Sequence, residues 1–135
     1  MSNADTVRSI YEAFGRGDVP AILEHIAADC ELEHWDAPHH AGAVPYLRPQ
    51  RGPDGFGAFF GEVGRYEIKD FQVRDVIGDG RQVVVEVFIH NQVPETGKEI
   101  RDEELHLWTF DDQGKVARMR HYVDTAQHLE AHEPA

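Results

Sequence analysis

Between residues 66 and 123 the chain repeats one pattern, a strand-length segment followed by a short turn. The segments are 66–77, 82–91, 99–110 and 115–123. The breaks are Gly78-Asp79-Gly80, the stretch Val93 to Lys98, and Asp111-Asp112-Gln113-Gly114. Connections this short join antiparallel neighbours, whereas a parallel pair needs a crossover of a dozen residues or more. The second half is therefore a four-stranded meander, with the valine-rich segment 82–91 as its strongest strand. Whatever precedes it must cover one face of that sheet.

The first half supplies the cover. Ala4, Val7, Ile10, Tyr11 and Phe14 recur at helical spacing, and Gly15 and Gly17 stop that helix. Asp18 caps a second helix with Pro20 in its first turn and Ile22, Leu23 and Ile26 on its apolar face. Cys30 to Trp35 alternates as a short strand. Residues 36–52 hold three prolines and two glycines and read as a loop. Pro53 to Val63 forms a third helix, with Phe56, Phe59, Phe60 and Val63 on one face. Asp124 to His132 reads as a brief terminal helix capped by Asp124. Arg16-Gly17-Asp18 matches an integrin-type tripeptide but falls at a helix junction, where a structural role accounts for it. The order predicts an α+β fold over residues 1–135 as a single domain: a curved antiparallel sheet wrapped around three N-terminal helices. Such a sheet leaves a cone-shaped apolar pocket, a common form of small-molecule site.

Composition excludes several function classes. Of 135 residues, 13 are Lys or Arg and 25 are Asp or Glu, for a formal net charge of -12. That field repels nucleic acid and anionic membrane surfaces alike. No apolar run nears the roughly 18 residues of a membrane span, and the N-terminus has no signal-peptide pattern. With one cysteine, Cys30, no internal disulfide forms, and a cytoplasmic protein is expected. Cys30 reads as a small buried apolar residue. Nine histidines are the unusual feature, and they direct attention to proton transfer or metal binding. His34, His39, His40 and Asp36 lie close in sequence, and His128 and His132 are one helical turn apart. However, the terminal segment is His128-Leu129-Glu130-Ala131-His132 rather than HExxH, and no thiol partner exists for Cys30. No phosphate-binding glycine loop or nucleophile motif is present. The expectation is a protein with neither metal nor cofactor.

Several segments carry a family resemblance. They are Ile10-Tyr11-Glu12-Ala13-Phe14 with Gly17-Asp18, Ala28-Asp29-Cys30-Glu31-Leu32, and Arg51-Gly52 with Phe59-Phe60. Further on come His106-Leu107-Trp108-Thr109-Phe110, Gly114-Lys115-Val116, and Met119-Arg120-His121-Tyr122-Val123-Asp124-Thr125. In this order the chain resembles SnoaL-like, ketosteroid-isomerase-like proteins of the nuclear transport factor 2-like superfamily. The resemblance implies the cone fold, which carries isomerases, cyclases, dehydratases, epoxide hydrolases and binders. His34 takes the place of the steroid isomerases' aspartate base. His106 stands where their protonated aspartate would be, and Tyr11 lies near their oxyanion tyrosine. In limonene-type epoxide hydrolases the corresponding positions are His121, Glu86 and Phe88, which do not match the Asp-Arg-Asp set. SnoaL-type cyclases use a His and an Asp from the last two strands; His106 matches the first and His121 replaces the second.

Strand parity places Asp102, Glu104, His106, Trp108 and Phe110 on one face and Leu105, Leu107 and Thr109 on the other. Met119, His121 and Val123 also share a face. The resemblance implies that His34, His106 and His121 point into the cone as catalytic residues. Tyr11, Phe56, Phe59, Glu104, Trp108 and Met119 would contact substrate, with Glu104 tuning the imidazoles. The expected activity is a cofactor-independent isomerisation, cyclisation or dehydration of a small apolar carbonyl compound. A non-catalytic small-molecule-binding module and a protein-interaction domain are the alternatives. Leu105 and Leu107, on the opposite face, would pair two copies as a homodimer.

Overall fold

The computed structural model describes residues 1–36 and 39–134. Its elements run α1 (Asn3–Gly15), α2 (Val19–Leu23), β1 (Ile26–His34), β2 (Gln50–Arg51), α3 (Gly52–Val63), β3 (Glu67–Ile77), β4 (Gln82–Gln92), β5 (Glu99–Phe110), β6 (Val116–Tyr122) and α4 (Thr125–His132). One six-stranded sheet has the order β2-β1-β6-β5-β4-β3. The meander β3 to β6 is antiparallel throughout. β1 then joins β6 in parallel, after the chain has passed through everything between them. The α+β cone expected from the sequence is the architecture observed.

Period-2 patterning decides which face is covered. On β4, Val83, Val85, Val87 and Ile89 are buried; on β5, Ile100, Asp102, Glu104, His106 and Trp108 are. Each fully buried valine contributes on the order of 1.5–3 kcal/mol relative to exposure. α1 lays Val7, Ile10 and Ala13 against that face. A reciprocal capping box between Ser2 and Asp5 fixes its start. The Asp79 carboxylate in the β3–β4 turn accepts from the Ala4 N–H, tying helix to hairpin. Register shifts in the β3–β4 ladder, between Ile68 and Asp70 and between Val73 and Asp75, add local twist and bend to the sheet.

Three sequence expectations change. β1 begins at Ile26, not Cys30, and Ile26 is a strand residue paired with Val116 rather than part of the α2 face. α2 is only five residues long, because the chain is drawn into the sheet as soon as Ile22 is buried. The stretch read as loop, 36–52, is also more ordered than its prolines imply. Residues 37 and 38 lie outside the described residues. Beyond them, 3-10 turns at Ala41–Ala43 and Pro45–Leu47 bury Ala41, Val44 and Leu47 as a second small core, and β2 pairs with β1. On the outer face Leu105 is 43% exposed and stands opposite Tyr122.

Candidate active site

Between the helices and the concave face lies a cavity that opens to solvent at its mouth, the concave, mostly apolar form that small-molecule sites take. Apolar and aromatic side chains form most of its wall. Its polar groups are few: Tyr11, Tyr46, Tyr66, Asn91, Glu104, His106 and His121. Of the nine residues expected at the site, Tyr11, Phe59, Glu104, His106, Trp108, Met119 and His121 line it.

Phe56 and His34 do not. Phe56 is fully buried behind the wall, tilted against Trp108 with ring centroids 6.5 Å apart. His34 pairs in register with His121 but is committed elsewhere. Its Nδ1 accepts from the Asp36 N–H at 3.1 Å, so its Nε2 carries the proton and donates to the Thr125 hydroxyl at 3.1 Å. Burial lowers its pKa. Both nitrogens are thus engaged, one turning the chain at the end of β1 and the other tying it to the start of α4. Asp124, as expected, caps α4 by accepting from the Gln127 N–H. Cys30 is buried, and its thiol pKa is pushed up to about 12, chiefly by burial.

The proton positions follow from obligate donors and acceptors. Trp108 can only donate, and its Nε1–H reaches the Tyr11 oxygen at 3.1 Å. The Tyr11 O–H therefore turns to His106 Nδ1, 2.5 Å away. His106 then carries its proton on Nε2 and donates to Glu104 Oε1 at 3.0 Å. Glu104 is ionised, well below the usual carboxylate range. Burial opposes ionisation, but hydrogen bonds from His106 and His128 more than offset it. Burial also raises the Tyr11 phenol above its ordinary value, keeping it neutral. A proton arriving at His106 Nδ1 would reverse one bond in this chain. The imidazolium would donate to the Tyr11 oxygen, and the phenolic hydrogen would be free to face the cavity.

His121 is different. Its ring sits edge-on to His106 at 5.0 Å between centroids and tilts over Phe59 at 5.2 Å. No hydrogen bond engages it among the described residues. Burial, with His106 beside it, lowers its pKa to about 3, so at neutral pH it is an uncharged imidazole in an apolar wall. Asn91 contributes a second unengaged group, a buried amide oxygen with no partner among the described residues.

Four of these participants were not legible as site residues. Tyr46 lies in the proline-rich stretch, Tyr66 stands between α3 and β3, Asn91 is one polar position among several on β4, and His128 belongs to the terminal helix. The clue to His128 was available. Asp102 and Glu104 share the inward face of β5, and two buried carboxylates demand a cation. Asp102, Glu104 and His128 also have ligand atoms close enough to hold a metal ion. The imidazole already satisfies both carboxylates through its N–H, so the set is complete as an ion cluster.

A SnoaL-like domain matches residues 7–119. The chain belongs to the SnoaL-like family. Solved structures agree on the fold. An NTF2-like protein of unknown function from Burkholderia pseudomallei is 27% identical, with a TM-score of 0.80, covering 97% of this chain and 98% of its own. TerC, co-crystallised with polyporic acid, is 25% identical with a TM-score of 0.77, covering 96% and 97%. A protein named as a candidate polyketide cyclase from Pseudomonas putida is 22% identical with a TM-score of 0.71, covering 97% and 98%, and shows the fold alone. No curated protein matches the chain. SnoaL-like membership thus rests on most of the sequence. No helix is long and apolar enough to cross a membrane.

Proposed function

We propose that the cavity performs cofactor-independent acid–base chemistry, of the isomerase, cyclase or dehydratase type, on a small, largely apolar carbonyl compound. The observation that carries this reading is His121, a neutral imidazole with no hydrogen-bond partner among the described residues, facing an apolar cavity beside a hydrogen-bonded His106–Tyr11 pair. The lone pair of His121 takes a proton from the carbon alpha to the carbonyl. The C–H electron pair becomes the enolate double bond, and the carbonyl pair moves onto oxygen. As charge develops there, the one Tyr11 O–H turns from His106 Nδ1 to that oxygen, while the Trp108 Nε1–H keeps donating to the phenol. The new imidazolium lies near the Glu104 carboxylate, whose field favours it, and returns its proton to the same carbon or to a conjugated one.

The test is α-proton exchange. Cyclic ketones and 1,3-diketones are incubated with the protein in D2O, and loss of the α-proton NMR signal is compared with buffer alone. Polyporic acid, co-crystallised with a relative, joins the panel as a binding probe. Exchange is expected for compounds that bind, and His121→Phe is expected to reduce it by about 10²-fold or more. Tyr11→Phe should slow it while leaving binding intact.

The second reading, a binding module without chemistry, is favoured by one observation: the His106–Glu104–His128 cluster is already internally satisfied. Compounds that bind tightly yet show no exchange above buffer would establish it. The same proposal includes a homodimer through the outer sheet face, supported by the exposed Leu105–Tyr122 cross-strand pair. Wild type should sediment as a dimer and Leu105→Glu as a monomer. A monomeric wild type at high concentration would remove the dimer.

A further inference from the structure

His128 is 0% exposed, lies beyond the family-matched residues 7–119, and carries no part of the chemistry proposed above. Its surroundings are unusual. Nε2 points at Asp102 Oδ2 at 2.8 Å and Glu104 Oε2 at 3.3 Å. Nδ1 meets the Tyr46 hydroxyl in a short hydrogen bond. Asp102 and Glu104 are both buried, two residues apart on one face of β5. Two neighbouring carboxylates in such a setting repel each other and lose their hydration. Among the described residues no Lys or Arg forms an ion pair with either, so imidazole is the only cationic group at hand. His106 faces Glu104 alone, through Nε2, while its Nδ1 is held by Tyr11. His34 from β1 and His121 from β6 also act on the cluster. His132, on the same helix, donates from Nδ1 to the His128 carbonyl at 2.6 Å and is not available to the acids.

We propose that His128 is a positioning residue: as the buried cation between Asp102 and Glu104, it holds Glu104 in place as an anion and, through it, fixes the proton of His106 on Nε2. The consequence reaches the cavity. With His106 Nδ1 unprotonated, Tyr11 is kept as its donor, and the cavity rests with neutral imidazoles at both His106 and His121. The terminal helix thereby sets the charge state of a site it does not line. Burial works against the charge on His128, but its hydrogen bonds to Asp102 and Glu104 and the charges of those carboxylates raise its pKa to about 9. This inference deepens the acid–base reading and rests on it only for its catalytic consequence.

The experiment is NMR of histidine ring nitrogens in the full-length 15N-labelled protein, titrated from acid to alkaline pH. In wild type, His128 should show both nitrogens protonated at neutral pH, and His106 the neutral Nε2–H form. In His128→Gln the amide still donates a hydrogen bond but brings no charge. Glu104 then draws its counter-charge from His106, whose ring should appear doubly protonated at neutral pH. A folded His128→Gln in which His106 keeps the neutral Nε2–H form overturns the proposal. So does a wild-type His128 that is neutral at neutral pH.

Asp102→Asn serves if His128→Gln does not fold. It keeps Glu104 but halves the negative charge at Nε2, and the His128 midpoint should fall by about one pH unit or more. An unchanged midpoint there also overturns the proposal. α-Proton exchange on the same samples reads the acid–base reading separately. Its absence in wild type, with these ring shifts present, removes the chemistry and leaves the positioning role established.

Discussion

His121 and His128 are both buried imidazoles, and their neighbours drive them in opposite directions. His121 has an ordinary value of 6.5 unfolded and about 3 folded. The unfolded chain therefore binds more protons between these values, and stability falls as the pH drops through that window. His128 moves from 6.5 to about 9 on folding. Its contribution is complete below 6.5 and is lost as the pH rises through about 9. Stability should thus peak near neutrality. Urea midpoints measured across pH check this. His121→Phe should flatten the acid-side slope between pH 6.5 and 5.5, where Glu104 has barely begun to titrate in the unfolded chain. Some slope remains, because burial also lowers His34 and His132. His128→Gln should flatten the alkaline side. An acid-side slope identical in His121→Phe and wild type would show that His121 is not buried neutral. At this scale the sequence was readable where a strand carried the residue. Period-2 parity put Glu104, His106 and Trp108 on one face, and the meander put His121 beside them. Parity cannot say which nitrogen of a ring is already occupied, which is why His34 looked like a member of the site.

Elements were legible in proportion to their regularity. The meander had both period and turns, and its four strands fall at the expected places. The boundary between α2 and β1 did not, because Ile22, Leu23 and Ile26 satisfy helical spacing equally well; the parallel pairing of Ile26 with Val116 settles it and could not be seen locally. A two-residue strand such as β2 has no period at all. Yet the β2–α3 junction is one of the tightest places in the fold. Gly52 adopts φ +68, and a Cβ there would stand 2.7 Å from the Ala28 carbonyl oxygen on β1. Both the backbone conformation and the contact exclude a side chain, so α3 can approach β1 only through glycine. Gly52→Ala should cost about 1–3 kcal/mol, read as a lower urea midpoint. Gly114, at φ +76 with nothing within 4 Å of its would-be Cβ, is the control. Gly114→Ala carries the backbone strain alone and should cost about 1 kcal/mol. Equal losses in the two variants would mean that the contact with Ala28 adds nothing.

At the scale of the whole molecule, α4 is more than a tail. Asp102 accepts from the Asp124 N–H at 3.0 Å as well as from His128. Gln127 Oε1 accepts from the Arg101 N–H at 2.7 Å, and the Thr96 hydroxyl donates to the Ala131 carbonyl at 2.6 Å. The Tyr66 hydroxyl lies 2.6 Å from His132 Nε2. One short helix therefore joins β5, the β4–β5 hairpin and the segment after α3, and buries a cation beneath all of them. Sequence patterning gave the helix and its Asp124 cap, but an eight-residue segment of low amphipathicity offers no hint that it is structural. Ending the chain after Val123 would leave Asp102 and Glu104 without their cation. Removing one partner of a buried ion cluster costs about 3–5 kcal/mol, and the lost backbone bonds add to that. The shortened chain should unfold at a clearly lower urea concentration and lose near-UV circular dichroism from Tyr46, Tyr66 and Trp108. His128→Gln in the full-length protein should fall between it and wild type, since the amide keeps one hydrogen bond and the rest of α4 remains. If the shortened chain matched wild type instead, water reaching the two carboxylates would be solvating them as well as His128 does, and the terminal helix would have no hold on the rest of the fold.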